Sequence, residues 1–532
     1  MGVFLGGMRR GCHRGKGLFM REQIKLKLGE PETLLRPLVE KKCKCKCAYL
    51  KILKKSLDAR DKNNIFWLYT VEAYASKPEI RPQPLSKVKH PPKYALVAGT
   101  GPAGLFCAVR LIDRGILPIV LERGGTVDER AAQNENFFKN KILDENCNVQ
   151  FGEGGAGTFS DGKLNTQTNS PLNKEVLETF VRFGAPEEIL YLNKPHIGSD
   201  RLRGVVKNMR AYLLENGGKV LFHTLLTDVV SDSENNRIKA VKCRDLKNGD
   251  VFELPAEVLV LAIGHSSRDT FSMLKERGVK MEPRQFAVGV RIEHLQEKIG
   301  FSQYGENYKK LPAADYKLVS HAGARTAFTF CMCPGGYVMP ASSEKGGVVT
   351  NGMSDYARDG QNANSALLVQ IDFGDYDRGD VLDGVRFQRE LEQRAFRLGG
   401  ETYAAPVQRL ADFIAGKKSR GAGEVLPTYA AGVTYTDLNA LFPQYVNESL
   451  KAAVYDMDKR LRGFADGDAL LTGAETRFSS PVRILRSENL ESVSLEGIFP
   501  CGEGSGYSGG ITSSAADGLR VAEKIAEKYN EH

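Results

Sequence analysis

The chain has 532 residues, which is enough for two or three domains with separate cores. It is 42% hydrophobic and 26% charged and contains no run of 18 apolar residues, so a membrane-spanning helix is not expected. Residues 1–93 hold 22 Lys and Arg against 8 Asp and Glu, whereas the remainder holds 52 against 57. The main body is therefore mildly acidic, nucleic acid is not expected as a partner, and a solvated basic face is the favoured interpretation of the N-terminal charge.

The first residues resemble neither a secretory signal nor a folded element. The apolar pieces of MGVFLGGMRRGCHRGKGLF are short and interrupted, and no small-residue cleavage site follows them. We expect residues 1–19 to form a disordered leader, and translation could start at Met1 or at Met20. Without an export signal the expected location is the cytoplasm, where the ten cysteines would remain thiols.

A small α+β domain is predicted for residues 20–76. QIKLKL alternates polar and apolar residues as a half-buried strand does, PETLLRPLVEKK predicts a short helix, and CAYLKIL and IFWLYTVEAYA predict strands. Five prolines follow within residues 77–93, which indicates an extended linker and a domain boundary.

The stretch KCKCKC at 42–47 raises the question of a metal site. Zinc loops commonly use C-x2-C in a turn, so that two thiolates converge on one ion. An extended strand instead places Cys43, Cys45 and Cys47 on one face. We therefore predict an edge strand with three packing cysteines and no metal.

Residues 94–124, YALVAGTGPAGLFCAVRLIDRGILPIVLERG, combine an apolar strand, three spaced glycines, an amphipathic helix and a second strand. Gly99 permits the tight turn, Gly101 lets the backbone approach a pyrophosphate, and Gly104 allows the helix to pack closely on the strand. Glu122 ends the second strand, where it can accept hydrogen bonds from an adenosine ribose. The pattern predicts a dinucleotide site without choosing between NAD and FAD.

A second glycine loop, NVQFGEGGAGTFSDGKL, follows this unit. Its Gly157, Gly162 and Lys163 have the spacing of a phosphate-binding P-loop. However, Leu164 stands where a P-loop needs Ser or Thr for magnesium, and polar residues precede the loop instead of a buried strand. A plain NAD domain needs no such loop here, whereas the longer FAD still has its flavin half to be enclosed. The loop therefore favours FAD.

Two more segments suit an enclosed FAD. EVLVLAIGHSSRDTF, residues 257–271, predicts an apolar strand that ends in an Ala-Ile-Gly turn. GIFPCGEGSGYSGGITSSAADGLRVAEKIAEKY, residues 497–529, predicts a short strand, an acid at Glu503, a glycine run and a helix beginning near Gly510. The N–H groups at that helix start suit a flavin oxygen that gains negative charge on reduction.

Together these segments resemble the bacterial FAD-dependent dehydrogenases often labelled NAD(FAD)-utilising dehydrogenases. The resembling stretches are NVQFGEGGAGTFSDGKLNT, FAVGVRIEH, TFCMCPGGYVMPA, GVVTNGMS, GAETRFSSPVRI and CGEGSGYSGGITSSAADGLRVAEKI. The resemblance implies an α/β flavoprotein with an interrupted doubly wound, Rossmann-like FAD-binding domain at 94–279 and 481–532. It also implies an inserted mixed α+β substrate-facing domain at 280–480, besides the small N-terminal domain.

The predicted FAD contacts lie in the segments just described. They are Gly99, Gly101, Pro102, Ala103, Gly104, Glu122, Arg123, Gly154, Gly155, Gly157, Ser160, Asp161, Lys163, Ala262, Gly264, Gly502, Glu503, Gly509, Gly510, Ile511 and Thr512. Related flavoproteins often carry Asp where this chain has Glu503, and the longer acid can still reach a ribityl hydroxyl.

Two histidines and three arginines are candidates for the chemistry. His265 follows the Ala-Ile-Gly turn and His294 follows an apolar strand pattern, so each is an acid or base candidate, with simple packing as the alternative. A substrate carboxylate or phosphate could be bound by the side chains of Arg291, Arg477 and Arg483, with internal ion pairs as the alternative. No second G-x-G-x-x-G follows in strand–helix context, so NAD(P)H would act as a diffusible donor without a domain of its own.

The stretch TFCMCPGG places Cys331 and Cys333 on one face of a predicted strand, just before a turn. Buried packing is favoured for this pair, because C-x-C closes a strained ring, and a redox relay near the flavin is the alternative.

The predicted function is an FAD-dependent oxidoreductase. It would transfer hydride between bound FAD and an unidentified substrate or NAD(P)H, with a small-molecule electron acceptor as partner. Two alternatives stay open, a non-catalytic FAD-binding redox sensor and a flavin-dependent RNA-modifying protein. The oligomeric state is not predicted.

Overall fold

A computed structural model describes residues 18–78, 85–166, 168–232 and 234–530. Apart from its last two residues, the predicted leader 1–19 lies outside the described residues, and so does the stretch 79–84 of the predicted linker. No helix within the described ranges is long and apolar enough to cross a membrane.

The described chain contains both strands and helices in mixed order. The strands are β1 (Leu18–Lys27), β2 (Tyr49–Asp58), β3 (Phe66–Tyr74), β4 (Ala95–Ala98), β5 (Pro118–Leu121), β6 (Lys219–Leu221), β7 (Thr224–Asp232), β8 (Arg237–Asp245), β9 (Val251–Pro255), β10 (Leu259–Leu261), β11 (Met281–Pro283), β12 (Phe286–Leu295), β13 (Val319–Ser320), β14 (Ala327–Cys333), β15 (Tyr337–Pro340), β16 (Thr350–Met353), β17 (Asn362–Ile371), β18 (Ala405–Arg409), β19 (Val433–Tyr435), β20 (Leu470–Glu475), β21 (Val482–Ile484) and β22 (Ile498–Pro500). The α-helices are α1 (Leu35–Cys43), α2 (Pro102–Arg114), α3 (Val127–Asn140), α4 (Leu172–Arg182), α5 (Ser199–Glu215), α6 (Arg268–Glu276), α7 (Gln296–Tyr304), α8 (Phe373–Tyr376), α9 (Asp383–Leu398), α10 (Leu410–Ala415), α11 (Gln444–Asp458) and α12 (Ile511–Lys528).

The first of two compact units is a three-stranded antiparallel sheet with one helix packed on it. Its strand order is β1-β3-β2, and Leu26 and Val39 belong to the core between sheet and helix. The segment Glu187–Pro195 is part of the same unit, because the backbone N–H of Lys55 donates to Tyr191 O at 2.7 Å. The strand–helix–strand–strand order predicted for this region is present.

The prediction of an edge strand through KCKCKC is wrong. Helix α1 continues to Cys43, and Lys44 then adopts a left-handed φ of 56°, which ends the helix and turns the chain toward β2. The turn brings the sulfur atoms of Cys43 and Cys45 to 2.9 Å, while Cys47 is buried in the core of the unit. Within the described residues, no group of three His, Cys, Asp or Glu side chains is arranged to hold a metal ion.

The second unit is built on a five-stranded parallel sheet of order β22-β10-β4-β5-β6. Most of its strands are short, buried apolar runs, as in parallel sheets covered on both faces. Helices α2 and α12 lie against each other, and a Cβ at Gly518 would lie 2.1 Å from Ala103 O. The predicted mixed α/β class is confirmed, and the loops after β4, β10 and β22 meet at one edge of this sheet.

A seven-stranded sheet of order β13-β14-β17-β12-β20-β18-β19 forms the other large layer of this unit. Its strands pair antiparallel except for β18 and β19, and its central strands β12 and β17 are buried along nearly their whole length. Strands β7, β8 and β9 form a separate antiparallel sheet. The seven-stranded sheet lies within the range 280–480 that the sequence assigned to an inserted domain.

Candidate functional site

The turn between β4 and α2 is shaped by two glycines that no other residue could replace. Gly99 has a φ of 107°, and a Cβ at this position would lie 2.3 Å from Ala262 O. A Cβ at Gly104 would lie 1.9 Å from Gly99 O. Since carbon and oxygen atoms do not approach so closely, both positions require glycine, and the turn is held against the loop after β10.

The second glycine loop lies directly on this turn. A Cβ at Gly155 would lie 2.8 Å from the Cα of Gly101, and the backbone N–H of Gly154 donates to Thr100 O at 3.0 Å. Gly157 is bounded on the other side by Ile511, whose Cγ1 would be 3.3 Å from an added Cβ. The loops containing 99–104 and 154–157 and the start of α12 therefore meet.

The C-terminal glycine run completes the arrangement. A Cβ at Gly502 would lie 2.6 Å from the Cβ of Ala103, and one at Gly504 would lie 2.4 Å from Gly264 O. Thr512, in the first turn of α12, donates from Oγ1 to Leu164 O at 2.8 Å. The structure thus brings together all four segments in which the sequence predicted cofactor contacts.

Other glycines of these segments face open space within the described structure. The nearest described atom to a Cβ at Gly101 is 3.9 Å away, and none lies within 4 Å at Gly264, Gly509 or Gly510. Gly101 and Gly510 are the N-caps of α2 and α12, and no described side chain caps either helix. Two helix starts with available N–H groups and a positive dipole end therefore border this space, which suits an anionic ligand.

Glu122 is buried, and its carboxylate already organises both glycine loops. Oε2 accepts from the backbone N–H of Thr100 at 3.0 Å, and Oε1 accepts from Gly124 at 2.9 Å and Gly152 at 3.0 Å. The Thr100 hydroxyl also donates to Oε2, so these four donors match the four or so lone-pair sites of the carboxylate. A ligand hydroxyl would therefore take the place of the Thr100 hydroxyl, which can rotate away. The neighbouring Arg123 donates to both carboxylate oxygens of Asp269 at 2.8 Å.

Arg130 of α3 supports the second loop, and the sequence analysis missed it. Its guanidinium is fully buried and donates to the carbonyls of Asn148, Val149 and Gly155 at 2.9–3.1 Å. A Cβ at Gly152 would lie 2.2 Å from Arg130 Cδ, so the glycine makes room for the arginine. The signal was an arginine placed on the apolar face of a helical pattern.

Asp161 and Lys163 lie at the end of the second loop. Asp161 is buried and accepts two hydrogen bonds from Arg358 Nη2, at 3.0 and 2.8 Å. The Lys163 ammonium is 3.1 Å from Asp161 Oδ2, and among the described groups it has no hydrogen-bond acceptor in good geometry. Ser160 turns back on its own loop and donates from Oγ to Gly157 O at 2.8 Å.

His265 and Glu503 form a pair across two of the converging segments. His265 Nδ1 lies 3.2 Å from Glu503 Oε1, and the imidazole is largely buried. Nε2 is buried as well and has no hydrogen-bond partner among the described protein groups. With the proton on Nδ1, the nitrogen that faces Glu503, Nε2 has a free lone pair and can accept a proton.

The other histidine candidate, His294, is placed differently. It is buried in the seven-stranded sheet, with Nε2 2.9 Å from Phe464 O and the two rings 5.2 Å apart. Burial lowers the pKa of His294, which keeps the imidazole neutral. These contacts with Phe464 are those of a packing residue, and none of them involves the four converging segments.

The arginine candidates are held by carboxylates of the protein. Arg291 Nε donates to Glu475 Oε2 at 2.9 Å, and Arg477 Nη2 donates to Glu392 Oε2 at 2.9 Å. Glu392 also accepts from Arg268 Nη2 at 2.7 Å, so one buried carboxylate serves two guanidinium groups. These are the internal ion pairs that the sequence left open as the alternative. Arg483 pairs in the same way with Glu282, at 3.0 Å.

Two family models each match one part of this chain. Residues 285–478 match the family described as FAD-dependent protein, C-terminal domain-like, and residues 21–74 match a domain of unknown function, DUF8436. An uncharacterized protein of Clostridium beijerinckii is 44% identical over 505 residues, which cover 90% of this chain and 93% of that protein. The chain belongs to the same family as this clostridial protein.

Similar solved structures include several flavoproteins at low identity. A flavoprotein/dehydrogenase from Cytophaga hutchinsonii is 11% identical, with a TM-score of 0.38, over 84% of this chain and 78% of that one. A geranylgeranyl bacteriochlorophyll reductase-like protein from Thermoplasma acidophilum is 12% identical, with a TM-score of 0.36, over 82% of each chain. The glycerol-3-phosphate dehydrogenase from Bacillus halodurans, complexed with FAD, is 12% identical, with a TM-score of 0.36, over 84% of this chain and 66% of that one.

Proposed function

We propose that the protein is an FAD-dependent oxidoreductase of the kind labelled NAD(FAD)-utilising dehydrogenases. The observation that carries this proposal is the convergence of four glycine-rich loops around a space that two uncapped helix starts border within the described structure. A dinucleotide with a pyrophosphate and an extended second half needs such a cradle. The match of residues 285–478 to the FAD-dependent protein family supports the choice of FAD.

The residues present fit FAD, and each part of the cradle has a role. The turn at Gly101 and the start of α2 would hold the pyrophosphate, because a backbone without side chains exposes its N–H groups there. Glu122 would keep its three backbone hydrogen bonds and would accept from the adenosine ribose in place of the Thr100 hydroxyl. The start of α12, at Gly510, would bind the flavin's pyrimidine carbonyl.

When bound, FAD supplies hydride transfer, and the protein supplies binding, orientation and proton transfer. His265 is the residue that we assign to proton transfer. Glu503 lies 3.2 Å from Nδ1 and favours a proton on that nitrogen, which would leave Nε2 free to take a proton from a substrate hydroxyl or amine. NADH or NADPH is the proposed diffusible donor, and an unidentified small molecule is the acceptor.

The test is an anaerobic titration of the FAD-loaded protein with NADH and then NADPH, followed by flavin absorption. Bleaching of the flavin bands by one of the two donors supports the proposal. Bands that persist with both donors contradict the proposed donor, and a protein that does not retain FAD contradicts the proposal as a whole.

A pair of histidine variants tests the assigned proton acceptor. His265→Asn keeps a group that can donate to Glu503 but removes Nε2, so we expect normal FAD binding and turnover slowed by at least about 100-fold. His321→Asn is the matched control, because His321 is exposed and bonds only its neighbour Thr326 among the contacts described. Equal turnover of the two variants would rule out His265 in this role.

A further inference from the structure

The Cys331–Cys333 segment is not the straight strand that its sequence predicted. In the pairing of β14 with β17, Phe330 lies opposite Ala366 and Cys333 opposite Asn364, so β14 contains one extra residue. Cys331 has a φ of 45°, in the left-handed region that non-glycine residues seldom occupy. Such bulges redirect side chains and occur often beside functional sites.

The bulge gives the two cysteines different environments while keeping them in contact. Cys333 is fully buried, and its Sγ donates to Cys331 O at 3.2 Å. Cys331 is the less buried residue of the two, so it is the one that we expect a reagent from solvent to reach first. Thiol–disulfide exchange uses an attacking thiol and a second, resolving thiol close by, and this pair offers a less buried and a fully buried cysteine in contact.

Two cations, Lys163 and Arg291, lie near Cys331. Arg291 Nη1 donates to Cys331 O at 2.9 Å, and the buried Lys163 ammonium, whose charge acts on both thiols, has no well-directed acceptor among the described residues. When the Cys333 thiol turns its hydrogen from Cys331 O to the Cys331 sulfur, this side-chain hydrogen bond and the charges of Lys163 and Arg291 hold the pKa of Cys331 well below its ordinary value. The same hydrogen bond and burial raise the pKa of Cys333.

Two acidic groups face the same thiols. The negative charge of Asp161 opposes ionisation of Cys331. Burial, together with repulsion from the Cys331 thiolate, raises the pKa of Glu475. Each acid is itself paired with a cation, Asp161 with Arg358 and Glu475 with Arg291. Their negative charge is therefore largely compensated, and Lys163 remains the cation least engaged by hydrogen bonds.

We propose that Cys331 and Cys333 form a redox-active dithiol that reduces low-molecular-weight disulfides. The Cys331 thiolate attacks one sulfur of the disulfide R–S–S–R, so a mixed disulfide forms and the first RS⁻ leaves. Cys333 then loses its proton and attacks Cys331 Sγ, which breaks the mixed disulfide and releases the second RS⁻. The two protons from the cysteines end on the two RSH products, and the pair is oxidised by two electrons.

The reaction can be followed by peptide mass on the full-length protein, without added FAD. Reduced protein is incubated with oxidised glutathione, quenched in acid, unfolded in alkylating agent and cleaved with trypsin. Residues 326–345 form one tryptic peptide that contains both cysteines and no others. We expect this peptide to lose two hydrogen atoms and to escape alkylation. A peptide that remains doubly alkylated overturns the proposal.

Single variants assign the two roles. Cys333→Ser should accumulate glutathione on Cys331, because the mixed disulfide then has no second thiol to resolve it. Cys331→Ser should leave Cys333 unmodified, because its sulfur is buried. Modification of Cys333 in that variant at the wild-type rate would overturn the assignment of Cys331 as the attacking thiol.

A charge variant tests why Cys331 would be reactive. Lys163→Met should slow alkylation of Cys331 in the reduced protein about tenfold near neutral pH, since it removes a nearby positive charge. Lys174→Met, at an exposed helix position, is the control and should change nothing. Equal rates for the two variants would overturn the electrostatic explanation. Because the readout is the alkylation of a peptide, its failure would leave the flavin proposal standing.

Discussion

Alanine substitutions at Gly101 and Gly104, two glycines of the same turn, should distinguish an effect on cofactor binding from an effect on folding. At Gly101 the φ is −64°, and the nearest described atom to an added Cβ is 3.9 Å away, so the fold should accept alanine. At Gly104 the added Cβ would lie 1.9 Å from Gly99 O, inside the turn itself. One methyl group enters the proposed cofactor space, and the other enters the protein.

The expected magnitudes follow from these distances. Gly101→Ala should leave the free energy of unfolding of the FAD-free protein within about 1 kcal/mol of wild type. The same methyl group should weaken FAD binding by about 1–3 kcal/mol, because it keeps the pyrophosphate from the backbone N–H groups. Gly104→Ala should lower the free energy of unfolding by about 3 kcal/mol or more, because backbone must move to admit the Cβ.

Urea unfolding of the FAD-free proteins and titration with FAD measure the two quantities separately. Gly204→Ala is the matched control, since Gly204 lies exposed in α5 with no described atom within 4 Å of an added Cβ. That variant should gain about 1 kcal/mol of stability and bind FAD as wild type does. Wild-type FAD affinity in Gly101→Ala would refute the placement of the pyrophosphate at the start of α2.

Three further carboxylate substitutions test the electrostatics of the fold and the site. Burial raises the pKa of Glu293 to about 7, so the folded protein holds that proton more tightly, and stability should fall as pH rises from about 4.5 to about 7. The Glu293→Gln side chain stays neutral, so its free energy of unfolding, measured in urea, should rise by about 3 kcal/mol relative to wild type between pH 4 and pH 8. A difference between the two proteins that does not change with pH would contradict this. Glu392→Gln leaves the buried Arg268 and Arg477 without the carboxylate that they share, so it should lower the free energy of unfolding by about 3–5 kcal/mol. A loss below about 1 kcal/mol would show that these ion pairs are not needed for stability. Glu122→Ala should weaken FAD binding by about 1–3 kcal/mol. It should also destabilise the FAD-free protein, because three backbone N–H groups lose their acceptor. Unchanged FAD affinity would place the ribose elsewhere.

The parts of the site that depend on local backbone geometry were predictable from the sequence. Gly99 and Gly104 mark a strand–turn–helix unit with the glycine spacing typical of dinucleotide-binding turns, and Gly510 marks a helix start after a glycine run. The structure has both elements where the sequence indicated them. Each signal lies within one short segment, so no knowledge of tertiary contacts was needed.

Contacts between distant segments were not predictable in the same way. Nothing in the sequence links His265 to Glu503, or Arg477 to Glu392, because each pair forms only when separate loops or helices meet. The turn at Lys44 shows a different limit, since alternation of Cys and Lys is compatible with a strand and with a helix end. Because helix α1 continues to Cys43, these residues form a helix end and a turn and not a strand.

The bulge at Cys331 was missed for a related reason. A period of two predicts that residues two apart share one face, but it cannot reveal an extra residue inserted into a strand. The insertion is defined by the partner strand β17, in which Ala366 and Asn364 face Phe330 and Cys333. Register is thus a property of the pair of strands and not of either sequence alone.

The most direct test of the central claim is the stoichiometry of FAD on the purified protein. The FAD-free chain would be incubated with excess FAD, separated from unbound cofactor by gel filtration, and measured by absorption and by release of the flavin on denaturation. The proposal predicts one FAD retained per chain, with flavin bands shifted from those of FAD in water. Retention of no flavin, by a protein shown to be folded, would contradict the assignment of the glycine loops to an FAD cradle.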